Sequence, residues 1–150
     1  AARPFLSPAL VRRVCEALAE GAAGVIPAIS VTDTIKTVEN GRVTATLPRD
    51  GLAAVQTPQG FKTDLLRRAH EQAQRDGFLG TDDASLVERY GAKVHVVMDS
   101  YQNIKVTTPE DLVVAEAFLR QSGSFTGTVR RAASEVCDFI KSAKSEKRKD

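Results

Sequence analysis

Tryptophan is absent from this 150-residue sequence, and the aromatic residues together make up only 5% of it. So few aromatic side chains leave little surface on which the bases of a single-stranded nucleic acid could stack. The net charge is only +2, which also disfavours a general binder of polyanions. No apolar run is long enough to cross a membrane, and no secretory signal is recognisable. We therefore expect neither a nucleic-acid partner nor a membrane partner.

Reactive residue types are also scarce. The two cysteines, Cys15 and Cys137, lie far apart and form no metal-binding or redox motif. The two histidines, His70 and His95, fall in a predicted helix and a predicted strand, where a structural or surface role is expected. The sequence thus offers neither a His-rich metal cluster nor a Ser-His-Asp arrangement.

Predicted strands and helices alternate along residues 1–120. Apolar residues at helical spacing indicate helices, and short β-branched runs between Gly and Pro indicate strands. The predicted helices cover residues 8–21, 62–76, 82–90 and 109–120. The predicted strands cover residues 24–30, 53–57, 94–98 and 104–106, and we expect the strand at 94–98 to be buried. This alternation is typical of an α/β layered fold with a largely parallel sheet.

A β-hairpin is predicted between the first two of these strands. Residues 32–47 contain two β-rich runs on either side of Asn40-Gly41. An Asn-Gly pair favours a two-residue hairpin turn because both residues tolerate positive φ.

The composition changes after residue 120. Ser122-Gly123-Ser124 reads as a linker, and apolar residues then recur at the spacing of an amphipathic helix with many basic neighbours. Residues 121–150 are therefore predicted to be a linker and a basic amphipathic helix of unknown role. Docking on the domain or on a partner and a solvated tail remain open.

The segment from residue 102 to residue 111 is the most informative one. Lys105 ends a short predicted strand, Thr108 suits a helix N-cap, and Pro109 suits the first helical position. Asp111 lies three residues after the cap, as in a capping box. An ammonium group beside free N–H groups at a helix start favours an anion, whereas the alternative is a well-capped helix with a surface lysine.

Further motifs accompany this segment. The chain opens with Ala-Ala-Arg-Pro, and the later motifs, in order, are Val-Thr-Asp-Thr-Ile-Lys (31–36), Gln-Thr-Pro-Gln-Gly-Phe (56–61), Thr-Asp-Asp-Ala-Ser-Leu-Val-Glu (81–88) and Asn-Ile-Lys-Val-Thr-Thr-Pro-Glu-Asp-Leu (103–112). In this order and spacing they closely resemble the 2-C-methyl-D-erythritol 4-phosphate cytidylyltransferases of the non-mevalonate isoprenoid pathway. The resemblance implies a Rossmann-like nucleotidyltransferase fold. Residues 1–120 would be its C-terminal part, with an arm at about residues 31–52 that is exchanged in a homodimer.

The family's glycine-rich loop, which wraps the triphosphate of CTP, has no counterpart in this sequence, whose ten glycines do not cluster in that way. The residues that bind CTP are therefore unknown here, and we expect the chain alone to be inactive. The resemblance implies CTP and methylerythritol phosphate as substrates and Mg²⁺ as the cofactor. From the absence of a long apolar run and of a signal peptide we expect a cytoplasmic location, or the plastid stroma if the source is a photosynthetic eukaryote.

The resemblance also implies roles for individual residues. Lys105 and Arg49 would be the catalytic cations, and Arg49 would reach the substrate phosphate from the neighbouring subunit. The expected substrate-binding residues are Arg3, Thr34, Thr57 and Thr81. Asp99 is the candidate metal ligand, although many family members carry Gly-Asp where this chain has Met-Asp.

Two alternative functions remain open at this point. The ribitol-5-phosphate cytidylyltransferases share several of these motifs, including Thr-Pro-Gln and Thr-Asp-Asp-Ala. A truncated, non-catalytic dimerisation module would also fit a chain that lacks the CTP loop.

Overall fold

The computed structural model describes residues 2–121. The described residues divide into two compact units, of which one is Ser7–Tyr101 and the other combines residues 2–6 with residues 102–121. Apart from Gln121, the linker and basic helix predicted for residues 121–150 lie outside the described residues. Within residues 2–121, no helix has the length and apolar character needed to span a membrane.

The first unit begins with helix α1, Pro8–Ala19, and strand β1, Gly24–Ser30. Ser7 caps the helix, since its Oγ accepts the N–H of Leu10 at 3.1 Å. Just after the helix, Gly21 has a φ of 112°, which a residue with a Cβ rarely adopts. The start and end of the helix and the strand that follows confirm the prediction.

β1 lies in a four-stranded sheet with β4 (Ala53–Val55), β5 (Gly60–Phe61) and β6 (Val94–Met98). β4 and β5 pair antiparallel with β1, and β6 pairs parallel with it. The predicted largely parallel sheet is therefore wrong, because the sheet is mixed. A parallel neighbour needs a crossover connection, usually a helix. The described chain between β1 and β5 contains no α-helix, whereas α2 (Thr63–Arg75) and α3 (Asp83–Arg89) precede β6.

The predicted β-hairpin is confirmed as a two-stranded sheet of β2, Lys36–Glu39, and β3, Arg42–Thr46. The turn residues Asn40 and Gly41 have φ values of 49° and 75°, which is the combination that a type I′ turn requires. Every residue of both strands is exposed. Among the described strands, β2 and β3 pair only with each other. The outer edge of each strand is therefore available for pairing with another chain.

Two apolar clusters hold the first unit together. In the first, Leu10 and Val14 of α1 pack with Val25 of β1. The second joins α2 to α3, and its buried members are Ala69, Ala73, Leu86 and Val87. The alanines lie one helical turn apart, as the apolar spacing of this segment predicts. Their small side chains let α2 approach α3 closely.

The prediction of a buried strand at residues 94–98 is correct in position but wrong in burial. Val96 and Met98 of β6 are 51% and 52% exposed. Val94 and Val97 pack against the two clusters, whereas β6 pairs with β1 alone among the described strands. β-branched composition indicates a strand but does not reveal how many neighbours cover it.

The described part of the second unit is organised around helix α4, Pro109–Gln121. Ile104, Val106 and Ala115 form its buried cluster, and Phe5 and Phe118 meet edge to face with ring centroids 5.8 Å apart. The strand predicted at residues 104–106 is wrong, because these residues join no described sheet. Their β-branched side chains are buried by α4 and its aromatic neighbours instead.

Candidate active site

Lys105 lies on a segment whose backbone is firmly held. Its neighbours Ile104 and Val106 are buried, while Lys105 itself is exposed. The N–H of Val106 donates to the carbonyl of Ala2 at 2.7 Å, and the guanidinium of Arg3 donates to the carbonyl of Asn103. The ammonium group is therefore presented to solvent from a fixed backbone. The contact also gives Arg3, a predicted substrate-binding residue, a structural role at Asn103.

The start of α4 differs from the predicted anion site in one respect. The N–H groups of Thr107 and Thr108 both donate to Oδ2 of Asp111 at 2.8 Å, and the N–H of Asp111 donates to Oγ1 of Thr108 at 3.3 Å. The predicted capping box is present. The helix does not, however, offer free N–H groups at these two positions, because its own carboxylate already accepts them. A phosphate near Lys105 must be held by other donors.

These hydrogen bonds lower the pKa of Asp111 below its ordinary value of 3.8, chiefly through the Thr107 and Thr108 backbone N–H groups. A lowered pKa means that the carboxylate stabilises the folded chain fully above about pH 4 and that this contribution disappears as the pH falls through the lowered pKa. We expect Asp111→Asn to destabilise the chain in urea unfolding at pH 7 and to differ less from wild type near pH 3. Glu110→Gln, an exposed neighbour in the same turn, is the control. A stability difference for Asp111→Asn that is equal at both pH values would contradict this account.

Arg49 lies in a short 3₁₀ turn, Arg49–Gly51, that follows the arm. Its guanidinium donates to the carbonyl of Thr32 at 2.7 Å, and the N–H of Leu47 donates to the carbonyl of Ile35 at 2.9 Å. These two bonds close the base of the arm. Arg49 remains exposed, as does Thr34 within the same base. Arg49 can therefore fix the arm with one N–H and still direct others towards a ligand, since a guanidinium carries five donors.

Thr57 and Thr81, both exposed, lie on two loops of the first unit. Next to Thr57, the buried side chain of Gln56 donates to the carbonyl of Ser100 at 3.2 Å, and its N–H donates to the carbonyl of Pro27 at 2.7 Å. Thr81 immediately precedes Asp82, which is the N-cap of α3. The N-cap position of α3 is therefore occupied by Asp82 and not by Thr81. Both hydroxyl-bearing residues are presented by anchored backbone.

Asp99, the candidate metal ligand, has a side chain that is only 8% exposed, and its Oδ1 forms an ion pair with Arg13 at 2.9 Å. Sequence reasoning missed Arg13, which lies in α1 and carries no motif that could reveal it. Residues 2–121 contain no group of three or more His, Cys, Asp or Glu side chains able to hold a metal ion. By themselves the described residues therefore do not fit a magnesium centre.

Comparison with known proteins identifies the family. Residues 1–121 match the sequence profile of 2-C-methyl-D-erythritol 4-phosphate cytidylyltransferase (IspD). The chain belongs to this family. The family enzyme of Geotalea uraniireducens is 54% identical over 122 residues, which are 81% of this chain and 52% of that protein. The enzyme of Bacillus mycoides is 58% identical over 118 residues, which are 79% of this chain and 52% of that protein.

Solved structures of IspD give the same fold. The crystal structure of the Thermus thermophilus enzyme superposes with a TM-score of 0.71 at 44% identity, covering 79% of this chain and 58% of that one. The predicted Rossmann-like nucleotidyltransferase fold is thereby confirmed. The chain spans about half the length of the curated IspD relatives it matches.

All the predicted site residues fall within the part that matches IspD. The first unit carries five of them, namely Thr34, Arg49, Thr57, Thr81 and Asp99. Arg3 and Lys105 belong to the second unit. In the first unit, the predicted residues lie beside polar groups that sequence reasoning did not single out. Gln56, Gln59 and Arg13 are the main examples, and only the two glutamines stand in a quoted motif.

Proposed function

We propose that this protein transfers a cytidylyl group from CTP to 2-C-methyl-D-erythritol 4-phosphate, in the non-mevalonate pathway of isoprenoid biosynthesis. The match of residues 1–121 to the IspD family is the observation that carries the proposal. Identities of 54–58% to relatives named as this enzyme support the same substrate pair. Because those relatives are about twice as long as the matched segment, the activity is proposed for a full-length enzyme that contains it.

The proposed reaction has a simple balance. A phosphate oxygen of methylerythritol phosphate attacks the α-phosphorus of CTP, a new P–O–P bond forms, and the bond from the α-phosphorus to the bridging oxygen breaks to release pyrophosphate. Two polyanions must meet in line, so the main tasks of the protein are to position them and to neutralise their charge.

The described residues suit the phosphate side of that reaction. Lys105 supplies a point charge from a fixed backbone, and Arg49 supplies a planar fork that can bind two phosphate oxygens at once. The hydroxyls of Thr34, Thr57 and Thr81 can donate to phosphate or accept from the polyol. We further propose that the full-length enzyme uses Mg²⁺, for which the described residues provide no complete site. The proposed location is the cytoplasm, or the plastid stroma in a photosynthetic eukaryote.

Pyrophosphate release tests the proposed function directly. A full-length family enzyme that contains residues 1–121 of this chain is assayed with CTP and either methylerythritol phosphate or ribitol 5-phosphate. We expect turnover with methylerythritol phosphate and none with the 150-residue chain alone, which has no glycine-rich loop for the triphosphate. Faster turnover with ribitol 5-phosphate than with methylerythritol phosphate would show that the proposed substrate is wrong. Turnover with neither substrate would favour a non-catalytic dimerisation module, and activity of the chain alone would refute its predicted inactivity.

We also propose that the protein is a homodimer in which residues 31–52 pair with the same residues of a second copy. Support comes from the exposed hairpin and from Val38 and Val43, which face each other across it and are each 58% exposed. In a dimer with a two-fold axis through this hairpin, the valine pair of one subunit would pack against the same pair of the other subunit.

Sedimentation tests this dimer. We expect the wild-type chain to sediment as a dimer well above micromolar concentration, and Val38→Lys to shift it towards monomer because two added charges would meet across the two-fold axis. Val113→Lys, a change at a position that is 70% exposed on α4, is the matched control and should leave the dimer intact. A wild-type monomer under these conditions, or equal behaviour of the two variants, would count against the arm.

A further inference from the structure

One side chain links the two loops that carry Thr57 and Thr81. Nε2 of Gln59 donates to Oδ2 of Asp82 at 2.7 Å. On the other side of the same amide, Oε1 of Gln59 accepts the backbone N–H of Ala84 at 3.3 Å. Both the nitrogen and the oxygen of the Gln59 side-chain amide therefore form hydrogen bonds with the start of α3. Gln59 lies two residues after Thr57, and Asp82 directly follows Thr81.

The groups that Gln59 binds are themselves fixed. Oδ1 of Asp82 accepts the N–H of Ser85 at 2.9 Å, and Oγ of Ser85 donates to the carbonyl of Asp82 at 2.7 Å. Ala84 is 2% exposed, and the next turn of α3 contributes to the apolar core. The start of α3 is therefore a rigid anchor, and Gln59 attaches the Thr57 loop to it.

We infer that Gln59 is a positioning residue that holds Thr57 and Thr81 in one arrangement, so that a polyol phosphate meets both hydroxyls at once. This inference rests on the proposed function, because that function makes the two threonines substrate contacts. Holding binding groups in place before the ligand arrives removes an entropic cost from binding.

Glutamine is the side chain that this place requires. It must donate to a carboxylate on one side and accept an N–H on the other, and a planar amide offers both. Glutamate in its place would bring two carboxylates into contact, whereas Ala would leave the Ala84 N–H without this acceptor. Asp82→Asn on its own also breaks this hydrogen bond. The new side-chain amide at position 82 would point an N–H group at the N–H group of the Gln59 amide.

The double variant Gln59→Glu with Asp82→Asn repairs both defects. The new amide at position 82 can donate to the carboxylate at position 59, which still accepts the Ala84 N–H. Its oxygen can still cap α3 through the Ser85 N–H. The hydrogen bond is thus restored with its direction reversed, and a purely local loss of stability at either residue would not be rescued in this way.

The experiment compares the four forms of the full 150-residue chain by amide NMR. Without ligand, we expect each single variant to shift the Thr57 and Thr81 resonances and to speed hydrogen exchange at the Ala84 and Ser85 amides by about tenfold or more. The double variant should return these signals close to wild type. Gln72→Glu is the control, because Gln72 forms the same kind of amide–carboxylate contact with Asp76 at 2.8 Å within the α2 region. It should leave both threonines unchanged.

Titration with methylerythritol phosphate then tests the functional half. In wild type, the Thr57 and Thr81 amides should respond together, and each single variant should weaken binding by about 10- to 100-fold, as for the loss of a charged hydrogen bond. The double variant should recover most of this affinity. No response of either threonine in wild type, with the ligand-free pattern intact, refutes their role in substrate binding but not the link. Independent behaviour of the two loops in the single variants, or no rescue in the double variant, overturns the inference itself.

Discussion

Replacing Lys105 or Arg49 by Ala in a full-length family enzyme is expected to slow cytidylyl transfer by about 10²–10³-fold, the usual cost of losing one preorganised electrostatic contact. Both side chains are exposed, so the lost packing should cost little stability. The lost charge acts where two polyanions must approach each other. Initial rates with CTP and methylerythritol phosphate measure the effect, and Lys93→Ala and Arg12→Ala, two cations outside the quoted motifs, are the matched controls.

Arg49 needs a finer test, because its guanidinium also closes the base of the arm at Thr32. Arg49→Lys can still donate one hydrogen bond to that carbonyl but cannot reproduce the planar fork. If Arg49 binds phosphate, Arg49→Lys should stay strongly impaired. If its role is only to hold the arm, Arg49→Lys should recover most of the activity. The two roles thus lead to opposite results for one conservative substitution.

Mixed dimers decide whether Arg49 acts across the subunit boundary. When Arg49→Ala subunits are combined with Lys105→Ala subunits, a trans arrangement gives heterodimers in which one site retains both cations. We expect these heterodimers to recover up to about half of the wild-type rate, since one of two sites is complete. Verified heterodimers with no recovered activity would refute the trans assignment. Unimpaired single variants would refute the site assignment for both residues.

Leu10→Ala should destabilise the chain by about 2–5 kcal/mol, the range for truncating a fully buried leucine. Leu10 is 0% exposed and packs with Val14 and Val25, so its removal leaves a cavity between α1 and β1. A loss of this size is a large fraction of the ~5–15 kcal/mol that stabilises a typical domain. Urea unfolding followed by circular dichroism measures it.

Val11→Ala is the matched control for the core prediction. Val11 is the next residue of the same helix and is 39% exposed, and alanine has the higher helix propensity. We expect its midpoint to stay close to that of wild type. An equal decrease in the free energy of unfolding for the two variants would mean that Leu10 is not the residue through which α1 packs against β1.

Local signals predicted most of the secondary structure. The Ser7-Pro8 start, the Asn40-Gly41 turn and the Thr108-Asp111 capping box are each specified within a few residues, and each is present. Such signals are reliable because their hydrogen bonds and φ angles involve only sequence neighbours.

The wrong predictions of strands and of strand direction concern contacts between separate segments of the chain. β-branched composition at residues 94–98 and 104–106 indicated strands, but it could not show that β6 is half exposed or that residues 104–106 are buried against α4. Alternation of helices and strands suggested a parallel sheet, although β4 and β5 return beside β1 without a helical crossover. Strand direction depends on connections and pairing, which period alone does not encode.

The sequence by itself determined the family, the helices, the β-hairpin with its turn, and the residue types that can bind phosphate. Only the tertiary structure revealed that Arg13 pairs with Asp99 and that Gln59 joins the loops of Thr57 and Thr81. Each of these two contacts joins residues more than twenty positions apart. A motif specifies which polar residues are present. The tertiary structure determines which of those that are distant in sequence form hydrogen bonds or ion pairs with one another.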